Sequence, residues 1–481
     1  LGHFMKRFIE EKSRSQNTLF PESLDDFVAE DNAVRVIEAF VDELDLGALG
    51  FEGVKPKNTG RPSYHPSTLL KIYIYGYLNR VQSSRRLEHE THRNVELMWL
   101  IGRLTPDFKT IADFRKNNGK PIRQVCREFV LLCRRLDLLT HDIVAIDGSK
   151  FKAVNTRNKS FTKNKIKLLI EEVNESIERY MAKLDDTDQT EPGSSSVKID
   201  QLSAKLERLK ERMKQLRSIE VDLLETPDKQ VSLTDPDSRS MKGSRGIMVG
   251  YNVQTAVDTA NHLIVEHEVT TSPSDRGQLF NMANKARKVM NTNELTVVAD
   301  RGYFAGKEIL ACHNAGIITY LPKPQTSGSK ASGRFGREKF KYIEDDNEYE
   351  CPAGERLIWR MKTIERGEMV TDSYWSSNCK NCALKTQCTP SINRRFRRWE
   401  GEGVLEELES RMLNDPGKMQ LRKETVEHPY GTIKMWMGWT HFQMRRLHNV
   451  KTEMSLHVLA YNMKRVINII GIKGLLAELQ G

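Results

Sequence analysis

The chain of 481 residues exceeds the usual span of one hydrophobic core, so two or three domains are expected. With 38% hydrophobic and 29% charged residues it has a soluble globular composition, and no run approaches the roughly 18 apolar residues that a membrane span requires. Lysine and arginine number 75 against 65 acids, giving +10 and a pI near 9.1, which suits either a polyanionic partner or a positive solvated surface.

The opening Leu1-Gly2-His3-Phe4-Met5-Lys6-Arg7 lacks a signal peptide's apolar region, so a cytoplasmic protein is expected. Residues 17 to 138 read as mostly helical. Ser23-Leu24-Asp25-Asp26 offers a helix start, and Val34, Ile37, Phe40, Val41 and Leu44 recur at helical spacing between Asn32 and Leu46. Lys55 to Pro62 is turn-rich. His65-Pro66-Ser67 caps a helix containing Leu69, Leu70, Ile72, Tyr73 and Leu78, Ser83 to Leu87 starts another, and Asp107–Phe114 and Pro121–Leu136 add two more. Short helices with basic starts suit a helix-turn-helix DNA binder, and a plain helical bundle nearly as well.

The texture changes at Asp142-Ile143-Val144-Ala145-Ile146-Asp147-Gly148, a predicted strand ending on an aspartate. Two charged segments follow, Lys165 to Leu184 and Ile199 to Leu224, each with one apolar stripe, joined by a polar connector; they predict an antiparallel helical hairpin. Gly250–Asp258 and His262–Thr270 then read as a β-hairpin, Asp275–Met290 as a helix, and Leu295–Asp300 as a second strand terminating on aspartate. Helix Gly306–Asn314 leads to strand Gly316–Leu321; Lys323 to about Asn414 reads as loop-rich, and Leu421 to Leu479 as helical.

Phosphoryl transfer on DNA is served by two hard divalent ions roughly 3.5–4 Å apart, held by carboxylates. Adjacent strand ends and a helix are able to deliver three such groups, and Asp147, Asp300 and Glu427 have that order. Taken singly, each strand-end aspartate reads more simply as a turn or cap residue.

The motifs are more specific than the spacing. Ala145-Ile146-Asp147-Gly148-Ser149 and Val298-Ala299-Asp300-Arg301-Gly302-Tyr303 resemble the first and second acidic motifs of bacterial insertion-sequence transposases of the DDE class. Arg422 through Lys434 resembles the signature of that class in which tyrosine, arginine, glutamate and lysine recur, with six residues between Glu427 and Lys434. Four residues separate Arg422 from Glu427 where the signature has three, a spacing that Lys423 meets, and Met419 or Gln420 stands at the tyrosine position. The segment from Arg61 to Phe114 resembles the domain that precedes such cores.

The resemblance implies a ribonuclease H-like mixed-sheet α/β core after a helical N-terminal domain. The expected limits are 1-138 for that domain, 139-324 for the first part of the core with a hairpin insertion at 160-226, 325-400 for a cysteine-rich insertion, and 401-481 for the helical end of the core. It also implies that Asp147, Asp300 and Glu427 bind two Mg²⁺ or Mn²⁺ ions, that Arg422, Lys423 and Lys434 contact DNA phosphates, and that a homo-oligomer binds element ends and target. Each of those cations has helix-surface solvation as its simpler assignment. A non-catalytic repressor derived from a transposase, and a metal-dependent nuclease that joins no strands, share these features.

Cys351, Cys379, Cys382 and Cys388 are separated by 27, 2 and 5 residues, and the Cys-x2-Cys knuckle points to a closed structural Zn²⁺ site, with reduced thiols as the alternative. Cys126, Cys133 and Cys312 read as buried inert thiols. Trp436, Met437 and Trp439 read as core, with base stacking as the other use. His428 is expected to make a local hydrogen bond.

Overall fold

A computed structural model describes residues 23–56, 62–139, 142–190, 196–226, 228–243, 246–324, 332–365, 369–438 and 440–480. They divide into two compact units, one drawn from 1–129 with 455–481, the other from 130–454. Among the described residues no helix is long and apolar enough to cross a membrane.

The first unit is helical. Helix α1 (Ala33–Asp42) starts where the Asn32 side chain accepts from the Val34 N–H at 3.0 Å, and it buries Val34, Ile37, Phe40 and Val41. Helix α2 (Pro66–Leu78) has His65 as its cap and proline at its first position, and is buried nearly all round. Helices α3 (Ser84–Thr91), α4 (Val95–Leu100) and α5 (Phe108–Asn117) follow, and α6 (Gly119–Arg135) runs on into the second unit. Tyr73 of α2 packs on Phe114, and the Tyr77 ring meets the buried His457 ring at 4.6 Å. Residues far apart in sequence therefore share this core.

The second unit opens with β1 (Ile143–Lys152). Strands β2 (Ser160–Thr162) and β3 (Gln230–Ser232) pair antiparallel at the base of a hairpin made by α7 (Lys163–Thr190) and α8 (Ser196–Glu225). Ile166, Val173, Met213 and Leu216 of the two apolar stripes are buried between the helices, together with Leu223. Strands β4 (Arg239–Gly243), β5 (Gly246–Asp258) and β6 (Ile264–Thr270) come next, then α9 (Leu279–Met290), β7 (Leu295–Ala299), α10 (Gly306–Asn314) and β8 (Ile317–Tyr320). The sheet order is β4-β5-β1-β7-β8, with β6 also paired to β5. β7 lies parallel to β1 and to β8, whereas β5 is antiparallel to β1 and β6.

Residues 332 to 399 depart from the loop-rich expectation. Strands β9 (Lys341–Ile343), β10 (Glu348–Glu350), β11 (Arg356–Glu365), β12 (Met369–Trp375) and β13 (Phe396–Trp399) form a five-stranded sheet, antiparallel throughout, over a core of Phe340, Tyr349, Leu357, Tyr374 and Phe396. Helices α11 (Glu402–Asn414), α12 (Gly417–Gly431) and α13 (Leu447–Gln480) complete the chain; α13 is interrupted at Gly471 (φ +76°) and its residues from 455 belong to the first unit.

The core of the second unit lies on one face of the main sheet. Val144, Ile146, Val297 and Ala299 point there, against Met282 and Ala286 of α9, Ile309 of α10 and Leu405 of α11. Side chains alternate along a strand, so Ala145 and Val298 face the other way and meet Val426 of α12.

Candidate active site

The same alternation puts Asp147 and Asp300 on the α12 face. β1 and β7 pair in parallel up to Ile146↔Ala299, one residue short of both aspartates, so the two carboxylates leave adjacent strands at the same level. The predicted strand end at Asp147 needs correction: β1 continues to Lys152, paired with β5 through Lys152↔Gly250, and only its pairing with β7 stops there. Asp300 does follow the last residue of β7, and its carboxylate accepts from the Gly302 N–H at 2.8 Å, capping the turn Arg301–Tyr303.

Helix α12 lies over this pair. Val426 seats it on Ala145 and Val298, and one turn earlier Arg422 places Nη2 2.8 Å from Asp147 Oδ1 and 3.9 Å from Asp300 Oδ2. One turn later the buried Tyr430 hydroxyl lies 2.8 Å from the Val253 carbonyl and 3.2 Å from that of Asp147. Lys434, in the π-helical segment Thr432–Trp436, donates to Ser149 Oγ and stands 4.4 Å from the Phe151 ring centre; burial lowers its pKa.

The Asp147 carboxyl is perturbed by its surroundings. Burial pushes its carboxyl up to about 6 and outweighs the opposing pull of Arg422 and the Gly148 N–H, while Asp300 and Asp275 add to the rise as like charges.

Asp275 was not among the residues singled out from the sequence. Lys150 Nζ donates to both its oxygens at 2.9 and 3.0 Å, and the amides of Asn252 and Gln254 each donate to Oδ1 at 2.7 Å. The Tyr303 hydroxyl donates to Gln254 Oε1, so this network ties the turn that follows Asp300 to β5 and β1 from behind. Gly148 makes room for it: a Cβ there would stand 2.4 Å from Gln254 Nε2 and 2.6 Å from Asp275 Oδ1. A lone aspartate in Ser272-Pro273-Ser274-Asp275 carries no signal of this role, since such a stretch reads as a turn.

The other expected residues are placed as follows. Glu427 is exposed, about 100° round the helix from the buried Val426, on the edge of α12 that also carries Lys423 and Tyr430. Lys423 is exposed as well. Arg422 is engaged with the aspartates. Trp436 is 66% exposed and Met437 is buried; Trp439 lies outside the described residues. The His428 ring lies 5.3 Å from that of His262. Cys126, Cys133 and Cys312 are buried free thiols, as expected.

Cys351, Cys379, Cys382 and Cys388 line a single cavity with Phe340 and Leu357. Burial raises the Cys388 pKa, Arg394 opposes the rise, and the other three cysteines add to it. Among the described residues no group of three or more His, Cys, Asp or Glu side chains is arranged to hold a metal ion, in the cysteine cavity or at the aspartate pair. The donor sets have the right chemistry, thiolates for zinc and carboxylate oxygens for a hard ion, but neither closes around one point.

The site is thus a mixed α/β unit with paired aspartates beneath Arg422 of α12, and Lys434 in the π-helical segment that follows. Family models identify the class. The transposase domain (DUF772) matches residues 22–117, and the transposase DDE domain matches residues 214–463, just over half of the chain and inclusive of Asp300 and Glu427. The chain belongs to the DDE transposases of insertion sequences. No curated protein matches it. A cryo-EM structure of the piggyBac transposase synaptic complex with hairpin DNA aligns over 94% of this chain and 79% of its own, at 8% identity and a TM-score of 0.33. That likeness is too slight to carry an argument.

Proposed function

We propose that this transposase binds the terminal inverted repeats of its element, cleaves a strand there and joins the freed end to target DNA, with Asp147, Asp300 and Glu427 as its catalytic carboxylates. The observation that carries the proposal is the meeting of Asp147 and Asp300, 153 residues apart in sequence, on adjacent parallel strands under a basic helix. A ribonuclease H-like core is supported by the strand order, with three antiparallel strands (β6, β5, β1) followed by β7 and β8 parallel to β1.

Asp147, Asp300 and Glu427 would hold Mg²⁺ or Mn²⁺, which when bound neutralises phosphate charge and lowers the pKa of water. The chain's own residues do the rest. Gly302 N–H orients the Asp300 carboxylate, Tyr430 braces β1 at the Asp147 carbonyl, and Lys423 on α12 with Lys434 in the segment after it supplies positive charge for phosphate. The DNA partner, a homo-oligomer holding two element ends, and a nucleoid-associated cytoplasmic location belong to the same proposal. A structural zinc in the cysteine segment does too, supported by four thiols around one cavity.

Labelled element ends incubated with the protein, Mg²⁺ and a plasmid target test it. Joined product is expected. Cut ends without joining mark a nuclease, and binding without any product marks a repressor.

A further inference from the structure

Two carboxylates side by side repel one another, and here the compensating cation is a side chain. Arg422 Nη2 is 2.8 Å from Asp147 Oδ1 and 3.9 Å from Asp300 Oδ2, with only 18% of the arginine side chain exposed. Its Nε is buried without a hydrogen-bond partner among the described residues, and its Nη2 faces the two carboxylates. The oxygen that Arg422 engages is one that a metal ion on this pair would need, and its charge would repel that ion.

Arg422 and Glu427 lie on the same helix, five residues and thus about 140° apart. The edge carrying Glu427 also carries Tyr430, whose hydroxyl reaches the Asp147 carbonyl. A turn of α12 that brings Glu427 towards the aspartates therefore carries Arg422 away from them. The C-terminal end of α12 is not regular: Pro429 inside it lacks an N–H to bond the Thr425 carbonyl, and the π-helical segment Thr432–Trp436 follows directly.

We infer that Arg422 is the resident cation of the Asp147–Asp300 pair and exchanges with Glu427, guanidinium out and carboxylate in, when a divalent ion is taken up. This rests on the metal-dependent assignment made above. Arg422 is on this account a positioning residue that competes with metal.

The test is Mn²⁺ binding to the full chain without DNA, read as loss of the free-ion electron paramagnetic resonance signal. Arg422→Ala and Arg422→Gln should each tighten Mn²⁺ binding by about tenfold, the scale on which a neighbouring charge biases a carboxylate. Glu427→Gln should weaken it, and Asp300→Asn should abolish it in every background. Unchanged or weaker binding in both Arg422 variants, with Asp300→Asn still abolishing it, overturns the exchange and leaves the metal site standing. No Mn²⁺ binding to wild type or to either Arg422 variant overturns both. Should the Arg422 variants not fold, phenylglyoxal modification of the wild type decides: Mn²⁺ should raise the labelling of Arg422, and unchanged or reduced labelling overturns the inference.

Discussion

At Asp147, burial and two like charges act against one guanidinium, and burial prevails. The folded carboxyl holds its proton to about pH 6, against 3.8 for an unperturbed aspartate, so the folded state binds more protons than the unfolded state across that interval. The associated stability is fully present below about pH 4 and lost as the pH rises through about 6, an effect of about 2–3 kcal/mol. Asp147→Asn should therefore stabilise the metal-free protein by about 1–2 kcal/mol at pH 8 and by nothing at pH 4. Urea unfolding at both pH values checks this, and a difference independent of pH contradicts it. Asp147 and Asp300 stand out in the sequence because each follows an apolar run, although only Asp300 precedes a turn and β1 continues past Asp147. Asp275 does not, since its significance lies in Lys150, Asn252 and Gln254 converging from two strands, and nothing in a linear turn sequence announces that.

Helix α12 couples the site to the fold through Val426, which is 3% exposed and packs on Ala145 and Val298. Val426→Ala should cost about 2 kcal/mol and, by loosening the helix, lower cleavage more than end binding. Denaturant melts with paired binding and cleavage assays measure both, and equal losses of binding and cleavage contradict the assignment of α12 to the site. The long hairpin α7–α8 was legible because its stripes of Ile166, Val173, Met213 and Leu216 repeat over many turns. The β9–β13 sheet was not. β9 and β10 are three residues long, and β11 exposes Ile358, Trp359, Met361 and Ile364, so no clean inward and outward alternation marks the strand. Glu427 stands between these cases: helical spacing gave its place on α12, but the phase of the helix against the sheet depends on packing.

At the scale of the whole molecule, the chain returns at its end to the unit in which it began, with residues 455–480 grouped with the N-terminal helices. No periodicity encodes that, because it rests on contacts such as Tyr77 with His457 made across most of the sequence. The cysteine segment offers a separate test: on the proposed zinc assignment, the purified full chain should carry about one zinc by atomic emission. Cys379→Ser with Cys382→Ser should remove it and lower the melting temperature, whereas a zinc-free chain with four titratable thiols in this segment contradicts the assignment. On the proposed reading, transposition depends on Asp147, Asp300 and Glu427 acting together. The decisive measurement compares Asp147→Ala, Asp300→Ala and Glu427→Ala with wild type for strand transfer from a labelled element end and for binding to that end. All three should lose at least about a thousandfold in strand transfer while binding stays within about threefold, since phosphoryl transfer depends on the carboxylate set and end recognition on the basic surface. Strand transfer at wild-type rate in any one of them would contradict the account.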